Sequence, residues 1–282
     1  MKNLNRILIY LVLLVAALFY LFPTYVMVMT SFKSMEEVHG SGILSVPMSP
    51  TLDAWLKAWS TACTGVECRG LRPFFWNSMQ MVIPAVLIST MVGAVNGYIL
   101  TKWKFKGSDL VFSLMLFGVF MPLQVVLLPM SQMLGWVGLA NTIGGLILVH
   151  VICGISSTTL FFRNYYVSIP DELIKAATLD GAGFFKIFWY IVLPLSVPIF
   201  MVTVIWQFTG IWNDFLFGVV FSGFDAKPIT VGLNNMANTS SAVKEYNVDM
   251  AAALIAGLPT MLIYILAGKF FVRGLTAGAV KG

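Results

Sequence analysis

The sequence predicts an all-α integral membrane protein of six transmembrane helices, and three observations carry that expectation. First, 59% of its 282 residues are hydrophobic and only 10% are charged, with a mean hydropathy of +0.87; a soluble domain of this size carries roughly a quarter charged residues. Second, the apolar residues gather in long runs, each able to cross the hydrocarbon core as a helix, the form that satisfies every backbone polar group within its own segment. Third, six spans put both termini on one side. That side holds eleven of the 17 Lys and Arg residues, among them Lys2, Arg6, Lys102, Lys104, Lys106, Arg163 and Lys175. The bias orients the termini towards the cytoplasm. The formal charge of +5 is spread through short loops without a cluster, so no nucleic-acid partner is expected.

The expected spans lie at about 7–29, 76–100, 110–130, 144–162, 196–221 and 248–271. The first follows Lys2 and Arg6; it is too long for a signal peptide and has no small-residue cleavage site. A polar outer loop from Thr30 to Phe75 holds Cys63 and Cys68, which form either a disulfide or a reduced pair. The second span closes on the basic run Lys102, Lys104, Lys106, and Pro122 and Pro129 interrupt the third. With no internal repeat, residues 1–282 read as one membrane domain. Neither the cysteines nor His39 and His150 have the spacing of a metal site, so no metal is expected.

Between the fourth and fifth spans, residues 163–195 form a polar island with its own helix signals. Pro170 suits a first helical position, Asp171 and Glu172 fall in the first turn, and Gly181 after Asp180 stops the helix. Leu173, Ala176, Ala177 and Asp180 recur at helical spacing, the alanines leaving room for a partner to approach. A second short helix, Phe184 to Val192, is expected to end at Pro194. Asp214 is a carboxylate inside the fifth span, a costly placement that marks either function or a structural partner. Gln124, Phe208, Trp212, Asn213 and Asp214 form a candidate substrate path, with aromatic rings that offer apolar faces for stacking and polar groups that offer hydrogen bonds. Gln207, Asn213, Gln124 and Asn96 are similar candidates, each read first as a bond between helices and only second as a ligand contact. No phosphate-binding glycine-rich loop occurs in the chain.

The run KAATLDG, nine residues, then IVLP resembles the EAA loop of ABC importer permeases, matched at Ala176, Ala177, Gly181, Ile191, Leu193 and Pro194. FWNSMQMVIPA, MPLQVVLLP, WNDFL and the ending FVRGLTAGAVKG extend the likeness over nearly the whole chain, to carbohydrate-importer permeases similar to the second permease of the maltose type. That resemblance implies a cytoplasmic coupling helix–turn–helix (Asp171, Glu172, Lys175, Ala176, Ala177, Asp180, Gly181, Ile191, Leu193, Pro194) seated on an ATPase dimer, and a tail (Gly274, Thr276, Gly278, Lys281) reaching the same dimer. It also implies a second permease subunit, a periplasmic sugar-binding protein facing the outer loop 222–247, and a bacterial inner membrane with its lipid. ATP and Mg would be bound by the partner ATPase, with no cofactor and no catalytic residue in this chain. Lys175 departs from the pattern, standing where the family motif has glutamate. TGVECRGLRPFFWNS resembles glucose- or mannose-type permeases, which implies a monosaccharide, or a short oligosaccharide, as cargo. The alternative is an ion-coupled secondary transporter using Asp214; it predicts inverted repeats, and the sequence has none.

Overall fold

The computed structural model describes the backbone of residues 2–65, 67–239 and 244–279, and side chains within 5–65, 67–239 and 244–268. In chain order come α1 (Lys2–Ser31), α2 (Met35–Gly40), α3 (Asp53–Ser60), α4 (Arg72–Lys102), α5 (Ser108–Phe120), α6 (Leu123–Trp136), α7 (Ile143–Tyr166), α8 (Asp171–Leu179) and α9 (Phe184–Ile187). A π-helical turn (Phe188–Val192), α10 (Leu193–Leu195), α11 (Val197–Trp212), α12 (Leu216–Phe221), a 3-10 turn (Phe224–Ala226), α13 (Ile229–Ala237) and α14 (Tyr246–Ala279) complete the series. Among the described residues there is no strand, only an isolated parallel bridge between Asn141 and Ser222.

Four helices, Asn5–Ser31, Arg72–Lys102, Ile143–Tyr166 and Tyr246–Gly268, are long and apolar enough to cross a membrane singly. Two bent pairs bring the number to as many as six: α5 with α6 at 105°, and Phe184–Leu195 with α11 at 79°. The expected third span, 110–130, is therefore not a rod. Pro122 disfavours helical geometry at Met121, which is extended (φ −70°, ψ 128°), and it caps α6, so the ladder stops at Phe120 and restarts at Leu123. The expected fifth span, 196–221, is also two helices, because α11 ends at Trp212 and α12 begins at Leu216. Asn213 and Asp214 fill the gap, side chains that compete with the helix for backbone hydrogen bonds.

The chain's contacts group into two compact units, Met1–Pro73 with Gly232–Leu258, and Phe74–Val231 with Pro259–Gly282. In the first, α1 exposes large apolar side chains on all sides, Phe19 and Tyr20 among them, the pattern of a helix that meets lipid. Lys33, beyond its end, is buried, and its ammonium donates to Ser41 Oγ (3.1 Å), the Gly42 carbonyl (3.2 Å) and Ser45 Oγ (2.7 Å). All three of its donors are thus used within one loop. Cys63 and Cys68 are joined by a disulfide. The Thr239 hydroxyl accepts from Gly65 N (3.0 Å) and faces the Cys63 carbonyl (3.3 Å), holding that loop to the end of α13.

The second unit is built on the close approach of α4 and α7. Gly93 and Gly97 lie one turn apart in GAVNG. A Cβ on Gly93 would stand 2.3 Å from Thr158 Oγ1, and one on Gly97 2.7 Å from Phe162 Cβ. Small residues at this spacing let two membrane helices pack backbone to backbone. Polar bonds then bring in α11: Gln207 Nε2 donates to Ser89 Oγ (2.8 Å), and the Thr158 hydroxyl faces the Ser89 carbonyl (3.0 Å). Gln207 is a bond between helices.

Candidate functional site

The segment from Arg163 to Leu195 hangs on an aromatic core. Tyr98 of α4, Phe162 and Tyr166 of α7, Ile174 of α8, Ile187 of α9, and Phe188 and Val192 of the π turn form one buried cluster with Ala94 and Ile169. Ile174 is the only buried residue of α8, so one apolar side chain anchors that helix. A polar bond anchors its start. Lys102, with a side chain only 4% exposed, donates to Asp171 Oδ1 and to the Ile169 carbonyl, each at 2.6 Å. That hydrogen bond, and then the lysine's charge, hold the Asp171 carboxyl below the usual carboxylate range. Pro170 is the N-cap rather than the first helical residue, leaving Asp171 to open the helix.

Gly181 ends α8 as its spacing predicts, with φ +80°. Its N–H donates to the Thr178 carbonyl (3.0 Å) and the Ala182 N–H to the Ala177 carbonyl (2.9 Å), the paired bonds of a Schellman cap. The second helix does not end at Pro194. Leu193 N donates to the Phe188 carbonyl, five residues back, and this wider turn carries the helical path past Pro194 to Leu195. Ile191 and Leu193 are half-buried against the aromatic cluster, whereas Pro194 is exposed.

The outward side of this segment is unusually apolar for a polar island. Leu179 is 89% exposed, Tyr190 81% and Phe185 72%, beside Leu173 and Ala176. The two alanines divide: Ala176 faces outward and Ala177 packs on the cluster. The acids divide too. Asp171 is held by Lys102, while Glu172, Lys175 and Asp180 are exposed.

At the break in the fifth expected span, the residues of the candidate path separate. Trp212 is 1% exposed, stacked on Phe208 (5.6 Å, 7°) and met edge-on by Phe75 (5.4 Å). Its ring faces are covered, so Trp212 has no surface for a sugar, contrary to expectation; a tryptophan between two helices reads the same in sequence whether it packs or binds. Asp214 caps α12, accepting from Gly218 N (3.1 Å) and Phe217 N (3.4 Å), while its own carbonyl accepts from the Thr230 hydroxyl (2.6 Å). His150 Nε2 lies 3.8 Å from Asp214 Oδ2, a pairing with no signal in the sequence. Asn213 is exposed and borders a groove of about 370 Å³ with Thr209, Thr260, Met261, Tyr264 and Ile265. Gln124 is exposed in the first turn of α6. Among the described residues no group of three His, Cys, Asp or Glu side chains could hold a metal. Gly274, Thr276 and Gly278 continue α14 as backbone; the Thr276 side chain and Lys281 lie outside the described residues.

Residues 85–276 match the family of binding-protein-dependent transport system inner membrane components. The chain belongs to this family. The permease is 42% identical over 279 residues to a probable ABC transporter permease of Pyrococcus horikoshii, a match covering 99% of this chain and 98% of that relative. It is 30% identical to the xylose/arabinose import permease of Haloferax volcanii (98% and 94% covered) and 30% identical to the glucose import system permease of Saccharolobus solfataricus (97% and 95% covered). A solved chain of a bacterial ABC transporter involved in import of the acidic polysaccharide alginate shares the fold, with a TM-score of 0.82 over 96% of this chain and 97% of that one at 19% identity. As an ABC transporter permease subunit, the protein is a multi-pass membrane component and not an enzyme; ATP hydrolysis is the work of a partner ATPase.

Proposed function

We propose that this permease forms half of the translocation path of an ATP-driven sugar importer, and that residues 163–195 couple it to a cytoplasmic ATPase dimer. The observation that carries this reading is the capped helix–turn–helix between α7 and α11. It is fixed to the spans on one side by the aromatic cluster, and on the other it bears exposed Leu173, Ala176, Leu179 and Phe185. A rigid element of this kind passes movement of a partner to the helices it is bolted to, as shear and hinge transitions require. Both termini lie in the cytoplasm in this orientation, with the disulfide-bearing loop and the 222–247 loop facing a periplasmic sugar-binding protein. The tail around Gly274, Thr276, Gly278 and Lys281 reaches the ATPase dimer, which binds Mg and ATP. A second permease completes the path. The cargo is a monosaccharide of the glucose or mannose kind or a short oligosaccharide, a choice supported by relatives whose names specify glucose, xylose/arabinose and arabinooligosaccharides.

Within the path, Asn213 and Phe208 keep exposed surface for the cargo, and Asp214 shapes the turn that presents Asn213. Reconstitution in proteoliposomes tests the reading. Sugar uptake should require ATP, the ATPase and the binding protein together. Uptake by this chain alone on an ion gradient would contradict it.

A further inference from the structure

A cavity of about 720 Å³ opens where the ends of α4 and α7 meet the start of α8. Its wall carries four bases, Lys102, Lys104, Arg163 and Lys175, and one acid, Asp171, which is already bound to Lys102. Arg163 is held in place by stacking on the Phe112 ring at 3.7 Å, so its charge is fixed rather than free to turn away. Lys104 and Lys175 are exposed, and the acid that feels their charge, Asp171, is already hydrogen-bonded to Lys102, so the wall holds four bases to one acid. The surroundings are those of a membrane boundary. Lys102 and Arg163 lie in the last turns of two helices long enough to cross a bilayer. In the run from Lys102 to Lys106 the lysines alternate with Trp103 and Phe105, both exposed, and Val167 at the cavity rim is 63% exposed. Amphipathic aromatics belong at the headgroup level, and basic pockets between membrane helices on the cytoplasmic side hold anionic headgroups.

We propose that this cavity binds the phosphate of an anionic phospholipid from the cytoplasmic leaflet, with Lys104, Arg163 and Lys175 around the headgroup and the acyl chains along Val167 and Phe105. The leaflet rests on the orientation given above; the ligand chemistry does not. Such a lipid ties α8 to the bilayer surface and neutralises the lysine that stands where the family motif has glutamate. Val167, exposed at the cavity edge, and the neighbouring exposed Phe105 favour a lipid over a soluble anion, which would leave both uncovered.

The test is native mass spectrometry of the purified full chain, without ATPase, after exchange into phosphatidylglycerol or phosphatidylcholine. Because no partner is present, failure here leaves the coupling reading untouched. The wild-type chain should retain one phosphatidylglycerol and little phosphatidylcholine. Lys104→Gln and Lys175→Gln should each weaken retention roughly fivefold. Lys106→Gln, outside the cavity wall, should not. Circular dichroism of each variant guards against misfolding as the cause. Equal retention of the two lipids, displacement of phosphatidylglycerol by excess inorganic phosphate, or an equal effect of all three substitutions would overturn the proposal.

Discussion

Two breaks in the helices of the second unit treat their polar and apolar groups in opposite ways. At the Arg163–Leu195 segment the chain turns the cap of α8 and much of its apolar surface outward, and Gly181 meets nothing within 4 Å of where a Cβ would be. At the Asn213–Phe215 turn Asn213 and Phe215 stay exposed, but the carboxylate and the flanking tryptophan go inward: Trp212 is sealed, and Asp214 is engaged by α12 and faced by His150. The first break has what a partner needs, a rigid frame with a free face. The second has what a span needs when it changes direction, a polar group that answers the freed backbone donors. Motif residues at the two sites therefore carry different meanings, although both read in sequence as polar interruptions of apolar runs.

Substitutions can separate the two, and the largest effect belongs to the packing both hang from. Gly97→Val would drive a side chain into Phe162 Cβ and the Arg163 backbone nitrogen, 2.7 and 2.8 Å from an added Cβ. It should cost about 3 kcal/mol, read as a fall in thermal unfolding temperature and in yield of the assembled complex. Asp214→Ala follows, with about 2 kcal/mol lost from the uncapped α12. Asp214→Asn, which keeps an acceptor, should cost less. If Asp214→Ala abolishes uptake while assembly and unfolding stay unchanged, the residue belongs to the sugar path and the contrast fails.

Gly181→Val should do the reverse of both. Its cost is confined to backbone strain at φ +80°, about 1–2 kcal/mol, so the permease should insert and assemble while ATPase stimulation by sugar falls. The smallest effect concerns Asp171. Its carboxyl is held below the usual range by Lys102, so the bond contributes at any pH above that range and is lost as pH falls through the lowered value. Amide protection factors in α8, corrected for the intrinsic pH dependence of exchange, should fall on acidification, and Asp171→Asn should flatten that fall.

Much of the fold was legible because its signals are local. The apolar runs mark the four helices long enough to cross a membrane singly, and Gly181 after Asp180 marks the end of α8, but the two alanines that read alike in sequence divide between the outer face and the cluster. What escaped depends on distance or on context. Lys102 and Asp171 are 69 residues apart, and nothing in either neighbourhood announces the other. Pro122 breaks a span whereas Pro129 sits inside a helix, since a proline's effect depends on whether the residues around it can satisfy the freed carbonyl. Trp212 and Asn213 are adjacent yet face opposite ways, so a path inferred from a run of residue types had to be divided by burial.

The most direct test of the coupling role is cysteine cross-linking from Ala176→Cys, on the outward face of α8, in the assembled transporter. The account predicts a cross-link to the ATPase subunit whose yield changes when nucleotide is bound. Cross-links only to lipid or to the second permease, unchanged by nucleotide, would contradict it.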